Sequence, residues 1–140
     1  MATQTSPVQV NASSSDKPWT LTAGLWVLQI AAAGMFLMAG GSKLAGAPDM
    51  VGVFDAIGIG QWFRYVTGAL EVVGAVLLLV PAVAGAGALL LAGVMTGAVL
   101  SHLLVLRTSP AVPLALLALL AVVVYARRAE IAARLTRVSS

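Results

Sequence analysis

A chain of 140 residues that is 60% hydrophobic and only 9% charged, with a mean hydropathy of +1.00, carries too little charge to coat a soluble domain, where about a quarter of residues are charged. Lipid is its solvent. Zero cysteines exclude a disulfide, a thiolate zinc site, an iron–sulfur cluster and dithiol redox chemistry carried by this polypeptide, and the net charge of +3 does not point to nucleic acid, because four of the eight basic residues fall in the last fourteen positions, where they flank a membrane segment.

Long apolar runs without two-residue alternation exclude a membrane β-barrel. The expected fold class is therefore all-α: a polytopic membrane protein, a bundle of four transmembrane helices with a short interfacial helix between the first two. Residues 1–19, rich in Ser, Thr, Gln and Pro and without apolar periodicity, predict a disordered cytoplasmic tail. The first apolar run lacks the basic start of a secretory signal and is too long for a signal core, so it predicts a retained helix over Leu21–Lys43, with Trp19 and Trp26 as interface anchors. In the connection GAPDMVGVFDAIGIG, Pro48 suits a first helical turn and Asp49 suits its positive end. Met50, Val53, Phe54 and Ile57 share one face, which predicts an interfacial helix ended by Gly58.

The second span is expected from Trp62 to Val80, where Pro81 and VAGAG turn the chain, and the third from Ala84 to Leu106. The fourth is expected from Ala111 to Tyr125, with Pro110 and Pro113 at its first turn, followed by a basic amphipathic extension. The organisation is thus a tail at 1–19, a membrane domain at 20–126 and a basic cytoplasmic C-terminal extension at 127–140. Four crossings place both termini on one side. That side carries Lys17, Arg127, Arg128, Arg134 and Arg137 against Lys43, Arg64 and Arg107 on the other, so the positive-inside rule predicts both termini cytoplasmic.

One residue in the second span demands an explanation. Glu71 sits in WFRYVTGALEVVGAVLLLVP, where a charge at mid-bilayer depth costs at least ~2.5–3.5 kcal/mol, so an intramembrane carboxylate calls for a partner. The candidates are Lys43, Arg64 and His102. Arg64 lies seven residues before Glu71, ~10 Å along the axis, on the same face but out of contact. Thr67, four residues before Glu71, is placed to donate a hydrogen bond to it. The plainer reading makes Glu71 a protonated carboxyl group bonded between helices, Lys43 a snorkelling terminal lysine and His102 a partner of a neighbouring polar group. The functional reading rests on convergence: three separate helices bring an acid, an amine and an imidazole toward one half of the bilayer. One histidine and scattered carboxylates offer no metal-ligand spacing, so no metal is expected.

Three stretches carry a resemblance: GMFLMAGGSKLAG at 34–46, VFDAIGIGQWFRYVTGALEVVGAVLLLVP at 53–81 and MTGAVLSHL at 95–103. Over residues 21–128 the chain resembles the DoxX-like family of small four-helix membrane proteins, through Lys43 after the first span, Phe54 and Gly58 in the connection, Gly68 and Glu71 in the second span and His102 in the third. The resemblance implies a multi-pass protein of a bacterial inner membrane engaged in redox work, with a quinone as the cofactor or substrate. Taken with the reading of the residues themselves, Glu71, His102 and Lys43 are the expected catalytic groups, and Arg64, Thr67, Phe54 and Ser101 the expected substrate-binding ones. The expected partners are the lipid bilayer, a redox partner protein and a second copy of the chain, with no nucleic acid. Two other readings use the same residues: acid and base catalysis, of isomerase or cyclase type, on a lipid-soluble substrate, and a purely structural subunit of a membrane complex.

Overall fold

The structure is a computed structural model that describes residues 19–138, apart from the side chains of Glu130 and Arg134. The described residues form α1 (Trp19–Ala45), α2 (Pro48–Ile57), α3 (Gln61–Leu79), α4 (Ala84–Leu100), which widens into a π-turn at Ser101–Leu106, and α5 (Ala111–Val138). The segments α1, α3, α4 with its π-turn, and Ala111–Ala129 of α5 are long and apolar enough to cross a membrane, and the chain is a multi-pass membrane protein. The expected tail lies outside the described residues except for Trp19, which opens α1.

Each helix ends where its sequence supplies a stop. α1 closes in a Schellman motif: Gly46, at φ 73°, donates to Lys43 O at 3.3 Å and Ala47 donates to Ser42 O at 3.0 Å. α2 begins at Pro48 and stops at left-handed Gly58, whose amide donates to Phe54 O at 3.2 Å, as the sequence predicts. At the fourth span the basic, amphipathic extension expected after Tyr125 is part of the same helix. α5 does not pause at Tyr125 but runs through the basic stretch as one helix of 28 residues, ~42 Å long against a hydrocarbon core of ~30 Å, so its last turns stand clear of the bilayer core.

The spanning helices form a ring in the order α1, α3, α4, α5, with a lighter contact of α5 on α1 closing it, while α2 lies across one end against α3 and the π-turn. Small residues let the backbones approach, as membrane helices require when lipid supplies no hydrophobic drive between them. At the α1–α3 crossing a methyl group on Gly40 would lie 2.8 Å from Gly68 O, and one on Gly68 would lie 2.9 Å from the Lys43 side chain. Neither position has room for a side chain. Between α3 and α4, Leu91 fills the space that a side chain at Gly74 would take. Phe36, Ala75, Leu78, Leu91, Leu120 and Val123 build the interior, and large apolar side chains such as Val27, Ile30, Met38 and Val122 face outward.

Candidate functional site

The close crossing of α1 and α3 sets the polar site. Lys43 stands opposite Gly68 and Glu71 opposite Gly40, so the two glycines leave room for the side chains to reach each other across the crossing: Lys43 Nζ donates to Glu71 Oε2 at 2.8 Å and to Oε1 at 3.0 Å. The Glu71 side chain is 2% exposed and that of Lys43 15%. An ion pair in this setting has a large desolvation penalty, recovered only when both oxygens and the ammonium are matched, as they are here.

A polar chain leads from this pair toward α2. Arg64, buried at the start of α3, donates through Nη1 to the Lys43 carbonyl at the end of α1 and through Nε to Gln61 Oε1 at 2.6 Å. Its cation thus meets the negative end of the α1 dipole. Gln61 in turn donates to Asp55 Oδ1 at 2.7 Å and to Val51 O at 3.0 Å, both on α2. Asp55, Gln61, Arg64 and the last turn of α1 form one continuous network that ties the interfacial helix to the ion pair.

On the other face of Glu71 is a cavity of about 360 Å³ between α2, α3 and α4, open on one side. Val53, Phe54 and Ile57 of α2 roof it; Phe63, Thr67, Leu70 and Glu71 line it from α3; Gly93, Val94, Gly97 and Ala98 line it from α4, with Ser101, His102 and Leu106 from the π-turn. Phe54 and Phe63 meet edge to face at 5.8 Å. The π-turn places His102 on this wall. Arg107 adopts a left-handed conformation, the Thr108 amide donates to His102 O at 3.0 Å, and His102 Nδ1 shares a hydrogen bond of 2.7 Å with Thr108 Oγ1. That bond leaves Nε2 as the ring nitrogen for a further partner.

Five of the residues singled out in the sequence, Glu71, His102, Thr67, Phe54 and Ser101, line this one cavity. Lys43 stands behind it, on the α1 side of Glu71, with its ammonium turned to that carboxylate. Arg64 is off the cavity wall, its guanidinium turned to the end of α1. Thr67 does not donate to Glu71; its hydroxyl donates within α3, to Phe63 O at 3.0 Å and Arg64 O at 3.1 Å, because a threonine in a helix reaches its own preceding turn more readily than a residue four further on. Ser101 does the same to Gly97 O at 2.9 Å.

Sequence reasoning passed over three polar residues. Gln61 and Asp55 carried no signal beyond polarity near an interface. Gln29 carried one: it is a polar residue in the middle of an apolar span. It is fully buried, donates to Leu78 O at 2.8 Å and accepts from Arg127 Nη2 at 2.9 Å, and the guanidinium of Arg127 lies over the Trp26 ring at 5.6 Å. This second cluster sits at the opposite end of the bundle, where α1 begins and α3 ends, and satisfies one of the last carbonyls of α3.

The fold and the site together define a class: a small multi-pass helical membrane protein with an intramembrane Lys–Glu pair beside an apolar cavity. A family model described as the DoxX-like family matches residues 27–125, and the chain belongs to that family. No curated protein and no solved structure compared with the chain matches it.

Proposed function

We propose that the protein binds a small, flat, oxygen-bearing hydrophobic molecule of the quinone type in the cavity between α2, α3 and α4 and assists its reduction or oxidation. The observation that carries this reading is the cavity itself: apolar over most of its wall, yet bringing Glu71, Thr67, Ser101 and His102 to one space of a size suited to a ring. Reducing a quinone to a quinol takes two electrons and two protons. Glu71 and His102 are the groups that exchange protons with the two ring oxygens, and Lys43 holds the charge that Glu71 carries between transfers. Electrons come from a redox partner protein, since the chain has no cysteine with which to relay them.

The excess of Lys and Arg at the two termini supports an orientation with both ends in the cytoplasm and the cavity toward the outer face. A reporter fused after Ser140 that is active only outside the cytoplasm would reverse this orientation.

The function is tested by titrating a naphthoquinone analogue into the purified protein in detergent. Binding is expected to weaken by about tenfold or more in Glu71→Gln, which keeps a hydrogen-bonding shape but exchanges no proton, and by several-fold in His102→Ala. A naphthoquinone that fails to bind the unaltered protein, or that binds all three forms alike, overturns the assignment.

A further inference from the structure

Along α4 the cavity wall carries the side chains of Leu90, Val94 and Ala98 and, among them, two positions without a side chain. Gly93 and Gly97 are one turn apart, both line the cavity, and a methyl group built on either would meet nothing within 4 Å. Their absence of side chains is therefore not demanded by helix packing. At Gly40, Gly68, Gly74 and Gly87 the same methyl group would fall within 3 Å of a neighbouring helix, and those glycines are accounted for by close approach. Glycine in the interior of a helix is unfavourable relative to alanine. Gly24, Gly34, Gly41 and Gly52 meet open space too, but none of them lines the cavity, whereas Gly93 and Gly97 do.

The register of α3 against α4 says what the bare strip faces. A side chain at Gly74 would strike Leu91, and one at Gly87 would strike the Leu78 amide, so the two antiparallel helices run level at these pairs. Counting back along both, Glu71 stands level with about Gly93 and Phe63 level with about Ser101. Gly93 thus lies level with Glu71 at one end of the cavity and Gly97 about midway to Ser101 and His102 at the other, ~12 Å away along the axis.

We infer that Gly93 and Gly97 are specificity-determining residues: they make one wall of the cavity flat, so that a planar ring lies face-on against the α4 backbone and a puckered or branched molecule of the same size is excluded. The inference rests on the cavity being the binding site proposed above, and adds to it the shape of the occupant. A ring at van der Waals distance from the backbone loses that contact when a methyl group stands between them.

The experiment compares the unaltered protein with Gly93→Ala, Gly97→Ala and, as a control, Gly34→Ala, whose methyl group also meets nothing but lies away from the cavity. Three probes are titrated into each: a naphthoquinone, naphthalene as the same flat ring without oxygens, and decalin as its saturated, thicker counterpart. The flat-wall inference expects both flat probes to bind more tightly than decalin, and to weaken by about tenfold in Gly93→Ala or Gly97→Ala while Gly34→Ala binds as before. Since alanine raises helix propensity, the Tm of each variant is expected to equal or exceed that of the unaltered protein, which separates lost binding from lost folding. Naphthalene bound as tightly as the naphthoquinone, with both weakened by the alanines, supports the flat wall while overturning the quinone assignment. Decalin bound as tightly as naphthalene, or flat probes untouched by both alanines, overturns the flat wall even if the quinone binds. No probe bound by the unaltered protein overturns both.

Discussion

The bundle buries polar groups at both of its ends, and the two ends use them differently. At the end where α1 begins, Gln29, Arg127 and the Leu78 carbonyl form a sealed junction: Gln29 is fully buried, and its amide connects three helices. At the α2 end, Lys43 and Glu71 form an ion pair that is packed on one side and opens on the other to a cavity. Both arrangements obey the rule that a polar group in hydrocarbon must find a partner. Only the second leaves an ionisable group beside space that a molecule can enter. A buried polar residue in a membrane helix is thus no evidence of a ligand site by itself; the space next to it is what separates a structural lock from a site.

The comparison breaks most sharply at the ion pair. Lys43→Met strips Glu71 of its cation, and removing one partner of such a pair is expected to destabilise the fold by ~3–5 kcal/mol. Adding Glu71→Leu to it replaces the pair with apolar side chains of similar bulk and is expected to recover most of that stability, while binding of the naphthoquinone stays lost. Thermal unfolding in detergent alongside ligand titration reads both. Binding that returned with stability in the double variant would make the pair a structural lock like the one at the other end.

A smaller effect is expected at the sealed junction. Gln29→Leu leaves the Leu78 carbonyl without its donor and Arg127 without that acceptor, at ~1–3 kcal/mol of stability, with ligand affinity unchanged when measured below the unfolding transition. An altered affinity would show that the two ends are coupled through α3.

These contrasts also show where the chain could be read in advance. The four spans, the interfacial helix from Pro48, its stop at Gly58 and the exceptional status of Glu71 were legible because each depends on residues near in sequence: an apolar length, a proline, a glycine able to take a left-handed turn, a charge among apolar neighbours. The continuation of the fourth span into a basic, amphipathic extension has a related reason. A change from apolar to basic composition looks like a boundary, yet the alanine-rich, arginine-rich stretch that follows is itself a good helix former and carries the helix out of the membrane.

What the sequence determined by itself is the all-helical membrane fold and the small set of polar residues able to do chemistry in it. What only the tertiary structure decided is how those residues divide. Lys43 and Glu71 are 28 positions apart and meet because Gly40 and Gly68 let two backbones touch, while Arg64, the nearer candidate in sequence, is turned away to the carbonyl of Lys43. Likewise, nothing local distinguishes Gly93 and Gly97, which face a cavity, from Gly74 and Gly87, which seat a neighbouring helix. Spacing along a helix fixes direction and depth, but the partner of a buried charge and the emptiness beside it are properties of how helices approach one another, and that approach is set by pairs of residues distant in the chain.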